Sequence, residues 1–414
     1  MWAKVKCCLF LVALILPGQY TIARQIVVSQ NGETGSLREA IRMAEPHDSL
    51  IIKEGHYPEH NVVIDKPLTI IGEGEVVIDG EGKGFVLIIR SDSVAIKNLE
   101  VHRSGRSFIE DYAGILVEKS SDVVLEQLTL TDNFFGIYLS AASDTQLTGN
   151  TITASGTRET SSGNGIHLWY SKNITITNNR VEGHRDGFYF EFVEDVYLTG
   201  NLSKHNLRYG LHFMFSDRCA YEHNVFQSNG AGVAVMYTKN VEIKHNHFED
   251  NWGPASYGLL LKEINNSRIE NNTFINNSIA MYVEASSRNR IYRNTFSQNG
   301  SGVKLMANST DNTFTENNFL SNTFEVTTNS RQNFNEFNKN YWSQYEGYDL
   351  DRDGLGDIPH RPVRLFALVT ERHPQALILL RSLLVGIMDA AERFIPIMTP
   401  ETLVDLQPKM RQIQ

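Results

Sequence analysis

Short apolar–polar alternations recur along the middle of this chain at a nearly constant interval. Each begins at a glycine and places apolar residues at the first and third positions after it. The residues that open these repeats are Gly114, Gly136, Gly165, Gly187, Gly210, Gly232, Gly258 and Gly302, with Ala280 filling one slot. Successive openings lie 22 to 29 residues apart. A period in this range is typical of stacked supersecondary units.

The repeat unit predicts a parallel β-helix. Period-two alternation over a short run is typical of a strand with one buried face. An asparagine stands 14 residues after the opening in seven of the repeats, at Asn150, Asn179, Asn201, Asn224, Asn246, Asn272 and Asn294. Asparagine tolerates the left-handed backbone of a tight corner, and stacked asparagines can bond neighbouring rungs. We therefore predict an all-β, right-handed parallel β-helix rather than a helical solenoid.

The N-terminal part of the chain predicts a leader and a cap. Residues 1–23 combine Lys4 and Lys6 with an apolar run, which is typical of a signal peptide and implies export. Residues 24–347 are expected to form the β-helix. A serine followed three residues later by a glutamate predicts a short helix over Ser36–Ala44. This helix would cover the first coil, whose core and strand edges are otherwise open.

The repeats fade towards the C-terminus, where two further segments are expected. Residues 348–363 form an acidic loop. Residues 364–414 form an amphipathic helical tail, with one helix predicted over Ala376–Arg393. Its apolar run is shorter than the roughly 20 residues that span a bilayer. A helix this apolar needs a covering surface, which is either the open end of the β-helix or a partner protein. We favour a partner.

Stacking converts the repeat into a map of the surface. Neighbouring coils lie about 4.8 Å apart, so residues at the same offset form a column. The second position after the opening points outward and holds His167, Tyr189 and His212, and the fourth holds Trp169, Glu191, Met214 and Met236. Thioether and imidazole ligands suit Cu(I). We therefore take His212, Met214, Met236, His167 and Glu191 as candidate copper ligands. An apolar docking patch for another protein is the alternative.

Two repeats carry insertions, at Gly156–Asn164 and at Asn251–Tyr257. Loops added to a rigid scaffold often bind ligands. The first insertion leads directly into the strand that carries His167. A neutral surface insertion explains these loops equally well.

The acidic loop spaces Asp349, Asp351 and Asp353 as in the first part of a calcium-binding EF-hand loop. The glutamate that closes such a loop is missing, so a full EF-hand is excluded. A structural calcium and an ion-free acidic turn remain as equal alternatives. The formal net charge of −10 also favours cations over nucleic acid or anionic lipid as ligands.

Several motifs resemble one known family over essentially the whole chain after residue 23. They are YGLHFMFS, AGVAVMY, SYGLLLKE, NYWSQYEGYDLDRDGLGDIPHRP and LLRSLLVGIMDAAERFIPIMTPETLVD. They resemble the NosD family of nitrous oxide reductase maturation proteins, and the wider fold resembles pectate-lyase-like β-helices. The resemblance implies a periplasmic protein that assists assembly of the copper–sulfide centre of nitrous oxide reductase.

The same resemblance implies the partners: an ABC transporter, a copper chaperone and the reductase apo-protein. We expect the protein to associate with the membrane through its transporter, whose membrane subunit would bind the tail. Copper is the implied cargo, with or without sulfur. The resemblance carries no assignment of copper ligands to residues, so the candidate site depends on the columns alone.

A carbohydrate-binding or carbohydrate-active β-helix is the rival class. Trp169, Tyr170, Tyr189 and Tyr237 could stack on sugar rings, and Glu191 could transfer a proton. The sequence offers no clear pair of facing carboxylates, which weakens a hydrolase. We therefore expect a metal-binding assembly factor rather than an enzyme. A purely structural docking platform is a third possibility.

Overall fold

The structure, a computed structural model, describes residues 24–107, 109–330, 332–394 and 403–414. The predicted signal peptide, residues 1–23, lies outside this part of the chain. The described chain winds into a right-handed parallel β-helix, which confirms the predicted fold. Of the helices in these ranges, not one has the length and apolar character needed to cross a membrane.

Each coil contributes one strand to each of three faces, which we call A, B and C. Face A contains β3 (Val62–Ile64), β5 (Leu87–Ile89), β8 (Ala113–Glu118), β11 (Phe135–Ser140), β14 (Ile166–Trp169), β17 (Asp186–Glu191), β20 (Tyr209–Met214), β23 (Ala231–Lys239), β26 (Leu259–Asn265), β29 (Ile279–Glu284), β32 (Ser301–Leu305) and β35 (Phe324–Thr327). Face B contains β6 (Ala95–Lys97), β9 (Val124–Glu126), β12 (Ser143–Thr148), β15 (Lys172–Thr177), β18 (Glu194–Thr199), β21 (Ala220–Glu222), β24 (Glu242–Lys244), β27 (Arg268–Glu270), β30 (Arg290–Tyr292), β33 (Thr310–Thr315) and β36 (Phe334–Asn338). Face C contains β7 (Glu100–His102), β10 (Thr129–Thr131), β13 (Thr151–Thr153), β16 (Arg180–Glu182), β19 (Leu202–Lys204), β22 (Val225–Gln227), β25 (His247–Glu249), β28 (Thr273–Ile275), β31 (Thr295–Ser297), β34 (Asn318–Leu320) and β37 (Tyr341–Trp342).

Faces B and C are joined into one sheet by two long strands at the N-terminal end, β2 (Ser49–Pro58) and β4 (Thr69–Asp79), and β1 (Gln25–Val28) pairs with β2. The helices are α1 (Leu37–Met43), α2 (Leu365–Arg372) and α3 (Leu383–Phe394), and short 3-10 turns lie at Glu159–Ser161 and Pro374–Leu379. The core is one continuous apolar cluster inside the coils. It includes a column of stacked rings from face C, namely Phe226, Phe248, Phe274, Phe296, Phe319 and Trp342.

The glycines that open the coils are required by the close approach of neighbouring backbones. A Cβ on Gly210 would lie 2.7 Å from the carbonyl oxygen of Gly232, and one on Gly232 would lie 2.2 Å from that of Gly258. Both distances are shorter than real Cβ contacts, so a larger residue would push the coils apart. This collision explains the glycine periodicity that organises the sequence.

The predicted asparagine column is a hydrogen-bonded ladder. The backbone N–H of each asparagine donates to the side-chain oxygen of the asparagine in the next coil, over 2.9 Å from Asn224 to Asn246 and from Asn246 to Asn272. The side-chain amide also donates to that oxygen. The ladder continues beyond the predicted residues to Asn317 and Asn340. It satisfies buried polar groups that would otherwise destabilise the fold.

A second buried ladder was not predicted. It consists of Asn206, Asn229, Asn251, Asn277, Asn299 and Asn322, and each donates its backbone N–H to the next. Their spacing repeats 19 or 20 residues after the coil openings, so the sequence pattern contains the signal. Asn251 belongs to this ladder, so the second predicted insertion begins with a structural residue.

The N-terminal cap has the predicted form. The Ser36 hydroxyl accepts a hydrogen bond from the backbone N–H of Glu39 at 3.1 Å, which begins α1. Leu37, Ala40 and Ile41 are buried and join the main core. The helix contacts β1, β2 and β3, so it covers the first coil as expected.

The C-terminal tail differs from the predicted single helix over Ala376–Arg393. A 3-10 turn ends at Leu379 and α3 begins only at Leu383. Leu380, which lies between the two helical segments, and Val385 of α3 both pack against Phe324 and Phe366.

The end of the tail is not helical. Residues 403–414 return to the β-helix, where Asp405 pairs with Phe337 and Lys409 pairs with Tyr341 in parallel bridges. Asp405 is fully buried and accepts hydrogen bonds from the backbone N–H groups of Lys339 and Asn340. It also accepts bonds from the Asn340 amide and the Trp342 indole N–H. Asp405 therefore ends the asparagine ladder as its last acceptor.

We expect Asp405→Ala to destabilise the protein strongly, because several buried donors lose their acceptor at once. The free energy of unfolding should fall by about 3 kcal/mol or more, measured by urea unfolding. Leu406→Ala is the matched control, since Leu406 is 67% exposed and should change the unfolding free energy by less than about 0.5 kcal/mol. Equal effects of the two changes would show that Asp405 does not stabilise the last coil.

Candidate functional site

The strand register places the candidate ligands in two columns on face A. His167 of β14 pairs with Tyr189 of β17, which pairs with His212 of β20. We call these three residues the inner column. The outer column follows two residues later, where Trp169, Glu191, Met214 and Met236 pair in successive strands. Both alignments agree with the columns predicted from the repeat.

The inner column points away from the core but is covered rather than open. His212 is only 8% exposed, and His167 and Tyr189 are partly buried. The Tyr189 ring lies between the two imidazoles, with centroid distances of 4.7 Å to His167 and 5.0 Å to His212. The two histidines are therefore separated by a ring and cannot coordinate the same ion.

The two insertions contribute to this cover. Asn164, at the end of the first insertion, places its amide nitrogen 3.1 Å from Nδ1 of His167. Tyr257, at the end of the second, is buried and lies 6.4 Å from the Tyr209 ring, which in turn contacts His212. The first insertion thus contacts His167 directly, whereas the second packs on Tyr209, the neighbour of His212.

Burial keeps both imidazoles neutral. Desolvation lowers the pKa of His212 to about 4, with a smaller lowering by Arg208 that Asp186 opposes. Desolvation and Arg185 lower the pKa of His167 to about 3. The Nε2 atom of His212 is buried and has no hydrogen-bond partner among the residues that the structure describes. A neutral imidazole with an unsatisfied ring nitrogen is the form that binds metal ions.

A buried ion pair that the sequence analysis missed lies beside the inner column. Asp186 is fully buried and accepts two hydrogen bonds from Arg208, whose Nε lies 2.9 Å from Oδ1. Nη2 of Arg208 lies 3.4 Å from Nδ1 of His212. This contact orients the His212 imidazole, because it holds Nδ1 towards the ion pair. Asp186 directly precedes one coil opening and Arg208 stands two residues before the next. Neither position belongs to the apolar alternation from which the fold was predicted.

The outer column brings the two methionines together and is more accessible. Met214 and Met236 are directly paired in adjacent strands, and both are partly buried. Met236 packs against the apolar cluster of Ala234, Tyr257 and Leu260. Glu191 pairs with Met214 and accepts a hydrogen bond from the Tyr189 hydroxyl at 3.4 Å. The five candidate ligands therefore do not form one group. Met214 and Met236 are paired directly, and His212 stands in the neighbouring column two residues before Met214.

The sulfur of Cys219 is not available to this surface. Cys219 is 1% exposed, inside the coil, and burial raises the pKa of its thiol to about 12. A thiol in this state does not act as a thiolate ligand. Soft ligands on face A must therefore be thioethers.

An exposed ladder of aromatic rings borders the outer column. It consists of Tyr170, Phe192, Phe215 and Tyr237, one residue beyond the outer column in successive coils, with ring centroids 4.8, 5.3 and 4.9 Å apart. All four residues have positive φ, between 48° and 57°, although bulky side chains rarely adopt this conformation. They are 37 to 55% exposed. The sequence analysis noted the two tyrosines but missed Phe192 and Phe215.

This aromatic ladder bears on carbohydrate binding. Sugar rings bind to the free faces of aromatic side chains, but here the rings stack on one another and present mainly their edges. The rings of Trp169 and Tyr170 are perpendicular to each other, with centroids 4.7 Å apart. Glu191 has Trp169 and Met214 as its neighbours in the outer column, so its column provides no adjacent second carboxylate. The arrangement suits contact with a protein better than catalysis on a sugar.

The acidic loop brings its three predicted carboxylates together. Ligand atoms of Asp349, Asp351 and Asp353 lie within 4.8 Å of one another, and this is the one such group of histidine, cysteine or acidic residues in the described ranges. The same carboxylates accept hydrogen bonds from backbone N–H groups of the loop, including Asp349 from Gly354 at 2.9 Å. The geometry is compatible with both alternatives, an ion site and an ion-free turn.

The helical segment presents an apolar surface at the C-terminal end of face A. Lys304 of β32 forms an ion pair with Glu371 of α2 at 2.8 Å, which holds the helix on the coil. Six large apolar residues of the segment are exposed by 38 to 89%, namely Leu377, Ile378, Leu379, Leu383, Leu384 and Ile387. A groove runs between this segment and the second insertion, lined by Trp252, Pro254, Phe324 and Leu377 among others. Exposed apolar surface of this extent is typical of a protein or membrane contact.

Comparisons with known proteins agree with the fold and with the motifs. Residues 154–347 match the profile of a family described as "Periplasmic copper-binding protein (NosD)". A Pseudomonas aeruginosa protein named "Probable ABC transporter binding protein NosD" is 29% identical over 401 residues, covering 90% of this chain and 92% of that protein. A protein of the same name from Stutzerimonas stutzeri is 26% identical over 369 residues, covering 84% of each.

Solved structures share the fold at low identity. The Dettilon tailspike protein superposes with a TM-score of 0.54 at 11% identity, covering 76% of this chain and 68% of that one. The A-module of the Azotobacter vinelandii mannuronan C-5 epimerase AlgE6 superposes with a TM-score of 0.52 at 14% identity, covering 76% and 92%. These likenesses show the fold of the chain, a parallel β-helix. The family match and the two relatives confirm the more specific resemblance to NosD proteins.

We predict a thermal test for the acidic loop. If Asp349, Asp351 and Asp353 hold calcium, a chelator should lower the melting temperature, because an ion bound only to the native state stabilises it. The triple change of these residues to Asn should remove the response, whereas Asp65→Asn, at an exposed position elsewhere, should retain it. An unchanged melting temperature of the parent protein with chelator would establish an ion-free turn.

Proposed function

We propose that this protein is a periplasmic accessory factor in the maturation of nitrous oxide reductase. It holds copper as cargo on face A and hands it over for assembly of the copper–sulfide centre, with or without sulfur, in concert with an ABC transporter. A copper chaperone would supply the ion, and the reductase apo-protein would receive it. The protein itself would not be an enzyme. The family description and the names of the relatives support this assignment.

The observation that carries the proposal is the pairing of Met214 and Met236 on adjacent strands beside the neutral imidazole of His212. Thioethers and neutral imidazole suit Cu(I), whereas carboxylates suit harder cations. We assign the two sulfur atoms as the principal ligands and Nε2 of His212 as the candidate third. Glu191 would contribute charge rather than a bond, and His167 would act separately from this group.

The partial exposure of the methionines also fits a carrier. An ion that must be released to another protein needs few ligands and an accessible site, while a resident cofactor is normally enclosed. The aromatic ladder borders the methionines on one side and would exclude water from the ion when a partner covers this face. Carbohydrate binding remains the second candidate, because Trp169 and Tyr170 are exposed by 39 and 55%.

We predict that Met214→Leu and Met236→Leu weaken Cu(I) binding by about tenfold or more each, with little change in stability. Leucine keeps the volume of methionine but removes the thioether ligand, and a tenfold change corresponds to about 1.4 kcal/mol. Anaerobic titration with a Cu(I) chelator as competitor measures the affinity. His212→Ala should also weaken binding, and Glu191→Gln should do so less.

Two methionines serve as matched controls for this titration. Met306 occupies the same offset three coils further on, about 14 Å from Met236 by strand spacing, and Met43 is exposed on α1. Leucine at either position should leave the Cu(I) affinity unchanged. If these controls weaken binding as much as the Met214 change, the methionine pair is not the site. Binding of an oligosaccharide that is lost in Trp169→Ala would instead favour the carbohydrate candidate.

We further propose that the apolar surface of the helical segment binds the membrane subunit of the transporter. The triple variant Ile378→Ser, Leu383→Ser and Ile387→Ser should lose co-purification with the transporter, because the apolar contact area is removed. It retains Asp405, so the β-helix should keep its melting temperature. Truncation of the whole tail would also remove Asp405, so loss of the partner contact and loss of stability could not be distinguished.

The control for this variant replaces three apolar residues exposed elsewhere, Ile109, Phe334 and Leu350, by serine. This control should co-purify like the parent protein. Loss of folding in the first triple variant would show that the segment stabilises the end of the β-helix rather than binding a partner.

A further inference from the structure

Two histidines outside the candidate site are stacked at the surface. His223 and His245 follow β21 and β24, at the corner between faces B and C, in successive coils. Their rings are parallel within 8°, with centroids 4.9 Å apart, and both residues are exposed. The backbone N–H of His223 donates to the carbonyl of Lys244 at 3.2 Å, which fixes the spacing of the two corners.

The backbone at this corner does not require histidine. Both residues have positive φ, 56° for His223 and 54° for His245. The same corner in neighbouring coils is occupied by Asn178, Gly200 and Asn271, with φ of 56°, 67° and 56°. These residue types suit the left-handed conformation at least as well. The corner would therefore form without the imidazoles.

The surroundings leave the pair open to a cation. Gly200 precedes His223 in the column, so no side chain covers that ring from the preceding coil, and Asn271, which is neutral, follows His245. The nearby Lys244 ammonium is held by Glu242 at 2.6 Å. Glu222, next to His223, accepts a hydrogen bond from the Tyr197 hydroxyl at 3.3 Å and adds negative charge to the corner.

From this geometry we propose that His223 and His245 form a binding site for a divalent transition-metal ion, with Cu(II) the preferred ion. Imidazole nitrogens bind copper, zinc and nickel, and Cu(II) is bound most tightly of the divalent ions of this series. An imidazole nitrogen binds a metal ion in the plane of its ring, at about 2.0–2.1 Å for zinc, so the parallel rings must turn out of the stack until one nitrogen of each points at the same ion. Both side chains are exposed and lie one rung apart, so they can turn in this way without movement of the backbone.

This site is independent of the methionine pair. Its ligands would be imidazole nitrogens rather than thioethers, and it lies at the corner between faces B and C rather than on face A. Met214→Leu should therefore leave it unchanged. Its existence does not depend on the proposed role in reductase maturation. A result that disproves one site therefore does not bear on the other.

Titration with Cu(II) alone, at a pH of about 7.5 where free imidazole is mostly neutral, tests the proposal. Electron paramagnetic resonance of the parent protein at one equivalent should show two nitrogen ligands. His223→Asn and His245→Asn should each weaken Cu(II) binding by about tenfold or more and remove the two-nitrogen signal. Asparagine preserves the corner, as in the neighbouring coils, so folding should persist.

His205 provides the matched control. It is exposed and has a positive φ of 53° but is paired with Glu182 rather than with another histidine. His205→Asn should leave the affinity and the spectrum unchanged. The proposal is overturned if the His223 and His245 variants bind Cu(II) like the parent, or if His205→Asn has an equal effect. A lowered melting temperature with unchanged Cu(II) binding would show that the rings serve packing alone.

Discussion

The buried asparagine ladder is the interaction on which the rest of this structure depends. Each asparagine accepts the backbone N–H and the side-chain amide of the one before it, as between Asn224 and Asn246. A slip of one residue would leave these buried donors without acceptors, at a cost that exceeds the gain from most single contacts. The ladder therefore fixes the register of the coils from Asn150 to Asn340. The glycine column sets the distance between coils, because a Cβ at Gly232 would meet the next backbone.

A fixed register converts single residues into columns of like chemistry. A methionine at one offset in two adjacent coils becomes a pair of thioethers, as at Met214 and Met236. An aromatic residue at the next offset becomes a ladder of four rings, and a histidine at another corner becomes the stacked pair of His223 and His245. A few substitutions at the same offset in adjacent coils can therefore place several like side chains next to one another without any change in the backbone. The thioether pair on face A and the imidazole pair at the B–C corner both follow from this rule.

Much of the fold could be predicted because the period of the sequence equals the number of residues in one coil of the backbone. Glycine spacing, strand alternation and the first asparagine ladder all follow from residues within one coil. The columns were also predictable, since they require only the offset. Burial of His212 was not, because its cover comes from Tyr209, on which Tyr257 of an insertion packs, and from Arg208, which is paired with Asp186. The aromatic ladder was recoverable in principle, but Phe192 and Phe215 occupy a left-handed corner where sequence reasoning expects asparagine or glycine.

The end of the chain explains how a helical segment can sit on a rigid solenoid in a defined place. Val363 precedes α2 and Leu403 follows the described part of α3, and both are buried in the main core. Asp405 then supplies the last acceptor of the asparagine ladder. The helices are consequently held at both ends by the β-helix, while Lys304 and Glu371 hold them from the side. A partner bound to their apolar surface would be held in a fixed orientation relative to face A. Under the proposed function, this constraint would place the methionine pair at a constant position relative to the transporter during copper transfer.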